Sequence, residues 1–170
     1  MSDDRWSDVE ADLASATNQL GMAIRTFERG GFDSDDPDTA WERSNAFLHG
    51  METGYTLLEK AIKRVLDILG ETSPSGDAWH KDLIDRVSRP MHGDKGRPAM
   101  FDAALRLDLL ELMRMRHRAR NAVYDDFDAS KAGPSVEAAA RVLRRISGAI
   151  TQFKIVVDPE PGNDDVVGPR

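Results

Sequence analysis

The 170-residue chain contains no cysteine, which rules out disulfides, thiolate zinc sites, iron–sulfur clusters and a cysteine nucleophile. A chain without disulfides suits a reducing cytoplasm, and cytoplasmic localisation is the expectation. Long apolar runs are missing too. No stretch approaches the roughly 20 residues that a membrane helix needs, and the start, M-S-D-D-R-W, is acidic with no apolar run behind it, unlike a signal peptide. Positive charge is in deficit. The net charge of −7 excludes a generic polyanion binder, so any nucleic-acid contact has to come from a local basic patch. There are four histidines, scattered, and the carboxylates show no ligand spacing, so neither a metal nor a cofactor is expected. The segment G-D-K-G (Gly93 to Gly96) lacks the strand and spacing of a phosphate-binding loop. Alternating strand patterns and internal repeats are absent.

What is present is helical periodicity. Hydrophobic residues make up 40% and charged residues 31%, a composition that folds rather than stays disordered. From Trp6 to about Arg29, Val9, Leu13, Ala16, Leu20, Ala23, Ile24 and Phe27 recur at helical spacing, and Gly30-Gly31 ends the run. An acidic loop leads to a second helix from Thr39 to about Gly70, which carries Trp41, Phe47, Leu48, Met51, Tyr55, Leu58, Ile62 and Leu66. Gly50 and Gly54 inside it mark a bend or a close helix crossing. After the turn E-T-S-P-S-G-D, a short helix runs from Trp79 to about Val87. Ser88 to Pro98 is a charged loop, expected to be mobile. A fourth helix spans about Met100 to Tyr124, and Pro134-Ser135 opens a last one through Phe153. The expected architecture is an all-α, up-down bundle of four main helices plus a short one, as a single domain over 1–155 with a disordered tail over 156–170.

The segment Leu112 to Asp128 carries the chemistry: L-M-R-M-R-H-R-A-R-N-A-V-Y-D-D-F-D. Arg114, Arg116, Arg118, Arg120 and His117 crowd about two turns. With His117 at zero, Tyr124 falls at about −20°, Asn121 at about +40°, Arg120 at about −60° and Arg114 at about +60°. These five share one face. Leu105, Leu112, Met115, Ala119, Ala122 and Val123 lie opposite and form the expected core face. Leu110 and Met113 also fall on the polar side, which suggests a central helix or one at an oligomer interface whose polar set lines a cleft. Arg106 on that stripe calls for solvent or a paired partner. Metal-free RNA cleavage needs one group to take the 2′-hydroxyl proton and another to protonate the leaving oxygen, and histidine can do either. Arginine binds phosphate and stabilises its developing charge, and tyrosine can stack on a base. The bland alternative is a solvated arginine face with a structural histidine, Arg120 pairing with Asp125, Asp126 or Asp128. Trp79 is read as a packing anchor, His80 as a first-turn surface residue, and His49 as structural. His92, Lys95 and Arg97 are read as solvated loop charge, with a basic rim for phosphate as the alternative.

The segment R-M-R-H (Arg114 to His117), followed by Arg120, Asn121 and Tyr124-Asp125-Asp126-Phe127-Asp128, resembles the motif helix of the HepT-like branch of the HEPN family. The upstream P-S-G-D-A-W-H-K-D-L-I (Pro74 to Ile84) is similar to that family's turn and short helix, and Tyr55 to Gly70 to its preceding helix. The resemblance covers roughly Thr39 to Phe153. It implies a HEPN-like bundle acting as a homodimer. It also implies a toxin of a toxin–antitoxin pair, a metal-independent endoribonuclease whose partners are RNA and a nucleotidyltransferase-type antitoxin. The implied catalytic residues are His117, Arg116, Arg120 and Asn121, with Arg114 and Tyr124 binding substrate. Tyr124 is also the implied site of adenylylation by the partner. One departure stands out. Four residues separate Arg116 from Asn121, where many relatives have histidine, and asparagine cannot exchange a proton. Arg-x5-His spacings also occur at Arg43/His49 and Arg86/His92, away from this helix. The alternative is therefore a catalytically degenerate HEPN module that binds a nucleotidyltransferase or nucleotide, and a plain helical scaffold is a third reading.

Overall fold

Each main helix begins where a local signal permits. Asp36 caps the second helix by accepting from Asp38 N at 3.3 Å, and Pro37 supplies its first turn. Asp102 caps the fourth by accepting from Leu105 N at 2.8 Å, so that helix starts a turn later than periodicity alone suggests. The computed structural model describes residues 4–121 and 127–159. Its helices are α1 (Asp4–Arg29), α2 (Pro37–Ile68), α3 (Trp79–Val87), α4 (Ala103–Asn121) and α5 (Gly133–Val157), with a 3-10 turn at Ala129–Lys131. No strand occurs among the described residues, only an isolated bridge between Met91 and Arg97. Four main helices and one short helix are the architecture that the periodicity predicts. The end of the expected α4 helix, including Tyr124, and the tail from residue 160 lie outside the described residues.

The apolar stripes meet in one core. Leu13, Leu20, Phe47, Leu58, Leu66, Leu109, Val142 and Ile146 belong to it, each almost fully buried. Burying a side chain of this size contributes about 1.5–3 kcal/mol. Trp41 does not join them: it is 57% exposed, because the first turns of α2 run ahead of its first buried residue, Phe47. Gly50 and Gly54 mark a close crossing of α1 over α2. A Cβ on Gly50 would sit 2.9 Å from the Ala23 Cβ, and one on Gly54 would sit 2.6 Å from the Leu20 Cγ.

Ion pairs fasten the outside of the bundle. Asp108 on α4 accepts from Arg141 on α5 at 2.8 and 3.0 Å, and Asp102 pairs with Arg145. Asp12 on α1 holds Lys60 at 3.0 Å and Arg64 at 2.6 Å on α2. Arg106 finds the paired partner its position demands, Asp85 on α3 at 2.6 Å. The α3–α4 loop is more tightly held than its composition suggests. Arg97 is neither solvated nor a phosphate rim: it is buried, bonded to Glu71, and donates to the carbonyls of Arg89 and Pro98 at 3.2 Å.

Candidate active-site cleft

α3 leans against α4 and leaves a cleft of about 360 Å³ between them. Asp77, Ala78, His80 and Lys81 form one wall, and Met113, Arg114, Arg116, His117 and Arg118 the other. The wall from α4 is basic because its opposite face, Leu105, Leu109, Leu112 and Met115, is committed to the core. The helix can only turn its arginines outward.

Those arginines are not equivalent. Arg114 and Arg118 both reach Glu111, at 3.3 and 3.2 Å. Ser135 on α5, fully buried, donates to the same carboxylate at 2.6 Å and accepts from Arg118 at 3.0 Å. Burial pushes the Glu111 carboxyl up, but bonds from Ser135, Arg118 and Arg114 outweigh it and hold the group below its ordinary value. Glu111 thus neutralises much of this pair.

Arg116 points elsewhere. Its Nη1 donates to His80 Nε2 at 3.3 Å, and its Nε is buried with no hydrogen-bond partner among the described residues. His80 is in turn bonded through Nδ1 to the Glu59 carboxylate on α2. Glu59 is 3% exposed, and the Tyr55 hydroxyl one turn earlier is buried without a partner among the described residues. Burial raises the Glu59 carboxyl above its ordinary value, although His80, Arg116 and Lys63 pull it down. Burial and the Glu59 charge push the Tyr55 phenol up, against the pull of Arg116. Trp79 stacks on the His80 ring at 3.6 Å, and Lys63 lies over the indole at the same distance.

Of the residues singled out on α4, Arg114, Arg116, His117 and Arg118 come together in this cleft. His117 is exposed, with no polar side-chain partner among the described residues. Arg120 is exposed and lines no part of the cleft, and it makes no pair with Asp128, which holds Ser130 and Lys131 instead. Asn121 folds back on its own helix, donating from Nδ2 to His117 O at 2.8 Å, and faces a neighbouring hollow beside Leu48, Phe127 and Lys131. Tyr124, with its expected roles in substrate binding and modification, lies outside the described residues.

Two residues escaped the sequence reading. His80 is not a free surface residue, because Glu59 and Arg116 hold it from both ring nitrogens. Glu59 carries the signal that exposes this. It sits on the apolar stripe of α2, four residues after Tyr55 and three before Ile62, and a carboxylate there needs a partner.

The bundle and its basic, histidine-bearing cleft define an all-α protein with a candidate anion-binding cleft. The model of the HepT-like proteins matches residues 46–157, more than half the chain, and the chain belongs to that family. α1 and the first turns of α2 precede the matched segment. No curated protein and no solved structure matches the chain.

Proposed function

We propose that the α3–α4 cleft is the phosphodiester site of a metal-independent endoribonuclease, the toxin of a toxin–antitoxin pair. The observation that carries this reading is Arg116. A buried guanidinium nitrogen with no acceptor among the described residues, beside two histidines, suits an anionic ligand that supplies the missing acceptor. Arg116 binds the scissile phosphate, and Arg114 extends the basic wall along the backbone. His117, exposed to the cleft, exchanges a proton with the substrate. The 2′-oxygen attacks phosphorus, the bond to the 5′-oxygen breaks, and the products are a 2′,3′-cyclic phosphate and a 5′-hydroxyl. Arg120 and Asn121, outside the cleft of one copy, act on the flanking strand or across a homodimer in which the α4 helices of two copies approach. RNA neutralises the arginines that such an approach brings together.

The test is induced expression without a partner, followed by total-RNA analysis. Wild type cleaves RNA and arrests growth, His117→Ala and Arg116→Ala do neither, and chelator leaves cleavage by the purified protein intact. Intact RNA with wild type defeats the reading.

One observation favours a second reading, a degenerate module that binds a nucleotidyltransferase or nucleotide. Asn121 stands where many relatives carry histidine, and its amide is used locally. Under either reading the partner is a nucleotidyltransferase-type antitoxin and Tyr124 its acceptor for AMP, an added anion. An unchanged intact mass after incubation with the cognate enzyme and ATP speaks against that modification.

A further inference from the structure

The cleft holds a second imidazole that the motif helix does not supply. The bonding around His80 determines its tautomer. A guanidinium has donors only, so the Nε2 that receives Arg116 Nη1 carries a lone pair, and the proton sits on Nδ1, directed at Glu59. His80 is therefore neutral in this arrangement, with its basic nitrogen toward the cleft and a buried carboxylate behind it. A carboxylate that fixes the tautomer and steadies the imidazolium is what a histidine base requires. Trp79, stacked on the ring, fixes its plane.

We propose, resting on the ribonuclease reading above, that His80 is the second proton-transfer residue of this cleft and Glu59 its positioning residue, acting on a ribonucleotide phosphodiester with a free 2′-hydroxyl. His80 Nε2 takes the 2′-hydroxyl proton, the 2′-oxygen bonds to phosphorus, the bond to the 5′-oxygen breaks, and His117, protonated, gives its proton to that oxygen. Solvent then restores both histidines. The pair does the work for which Asn121, lacking an exchangeable proton, is unfit. Arg116 covers Nε2 through one long contact of 3.3 Å. A phosphate that draws the guanidinium away uncovers the base, so binding and activation are one event.

The groups around His80 come from three helices. Glu59 and, through Trp79, Lys63 face it from α2, with Tyr55 near Glu59 and Arg116 behind them. Arg116 meets it from α4, with Arg114, His117 and Arg118 along the same wall, and Asp77 and Lys81 flank it on its own side.

The test is the pH–rate profile of the purified full chain on a short labelled RNA, with binding of the 2′-O-methyl oligonucleotide of the same sequence measured in parallel. Wild type gives a bell with a basic and an acidic limb. His80→Ala lowers the rate by about 10²–10⁴-fold and removes the acidic limb. It leaves 2′-O-methyl binding within about threefold, and added imidazole restores part of the rate. Glu59→Gln lowers the rate roughly tenfold or more and moves the same limb, while Glu59→Asp recovers part of it. His80→Gln, which keeps a polar group of similar reach, serves if the alanine variant unfolds, and it shows the same loss. Wild-type rate and profile in a folded His80 variant overturn the proposal and leave the ribonuclease reading standing. Failure of the wild type to cleave at any pH overturns both. Loss of rate in the His80 variants with the acidic limb unmoved and no rescue by imidazole assigns His80 a structural role and also overturns the proposal.

Discussion

Arg116 and His80 meet across 3.3 Å although 36 positions separate them in the chain. The contact joins the arginine-rich helix to the short helix after the P-S-G turn, and it separates Arg116 from its neighbours on α4. Arg114 and Arg118 share Glu111, whereas among the described residues Arg116 bonds a ring nitrogen and its Nε has no acceptor.

Arg116→Ala is expected to weaken binding of a 2′-O-methyl oligonucleotide by about 10–100-fold, the value of a charge-assisted contact. Arg114→Ala, whose guanidinium already faces Glu111 and is 58% exposed, costs only a few-fold. Fluorescence anisotropy at fixed salt measures both. Equal losses would show that the cleft reads total charge and not the uncommitted guanidinium.

Two glycines in helix interiors have opposite roles. Gly54→Ala forces a methyl group to within 2.6 Å of the Leu20 Cγ, and it should destabilise by about 1–3 kcal/mol despite the better helix propensity of alanine. Gly148 on α5 is exposed with nothing within 4 Å of a Cβ, so Gly148→Ala should stabilise by about 0.5–1 kcal/mol. Urea midpoints for the two variants, moving in opposite directions, check the crossing geometry.

Asp12 gives a pH-dependent term. Burial pushes its carboxyl up, but bonds and charges from Lys60 and Arg64 outweigh that, so the group lies below its ordinary value. The native state therefore binds this proton less readily than the unfolded chain. Its contribution is present above the unfolded value of about 4 and is lost as pH falls through the folded one. Asp12→Asn should be roughly 1–3 kcal/mol less stable at pH 7, with the gap narrowing as pH falls below about 4. A gap that persists in acid would assign the effect to packing.

Arg97 anchors the α3–α4 loop. Arg97→Met removes the hydrogen-bond donor of the Glu71 carboxylate, leaving it only the Arg86 ion pair at 3.5 Å, and takes the same donor from the carbonyls of Arg86, Arg89 and Pro98, at a cost of about 1–3 kcal/mol. The double variant Arg97→Met/Glu71→Gln should recover part of that loss, since the carboxylate that has lost its main partner is then neutral. Denaturation of the single and double variants resolves the coupling, and a double variant no better than the single one contradicts the pairing.

The helices were legible in the sequence because their causes are local. Periodic apolar residues, Asp36-Pro37 before α2 and Gly30-Gly31 after α1 act within a turn or two of themselves, and the observed bounds of α1 and α3 follow them closely. The core face of α4 was legible for the same reason, and of the two environments open to Arg106, solvent or a paired partner, the structure shows the pair with Asp85. What each arginine of that helix would find was not legible. Arg116 lies about 100° around the helix from His117, enough for the two to use different neighbours. Arg120 and Asn121 shared His117's face, yet they sit past the end of α3 and outside the cleft. The sequence by itself determined the helical bundle, the exposed basic wall and the family. Only the tertiary structure decided that His80 belongs to that wall, because its position rests on a carboxylate 21 residues away and a guanidinium 36 residues away. No periodicity records such pairings. They arise when the burial of three separate apolar stripes brings α2, α3 and α4 together and leaves one carboxylate, one imidazole and one guanidinium to satisfy each other.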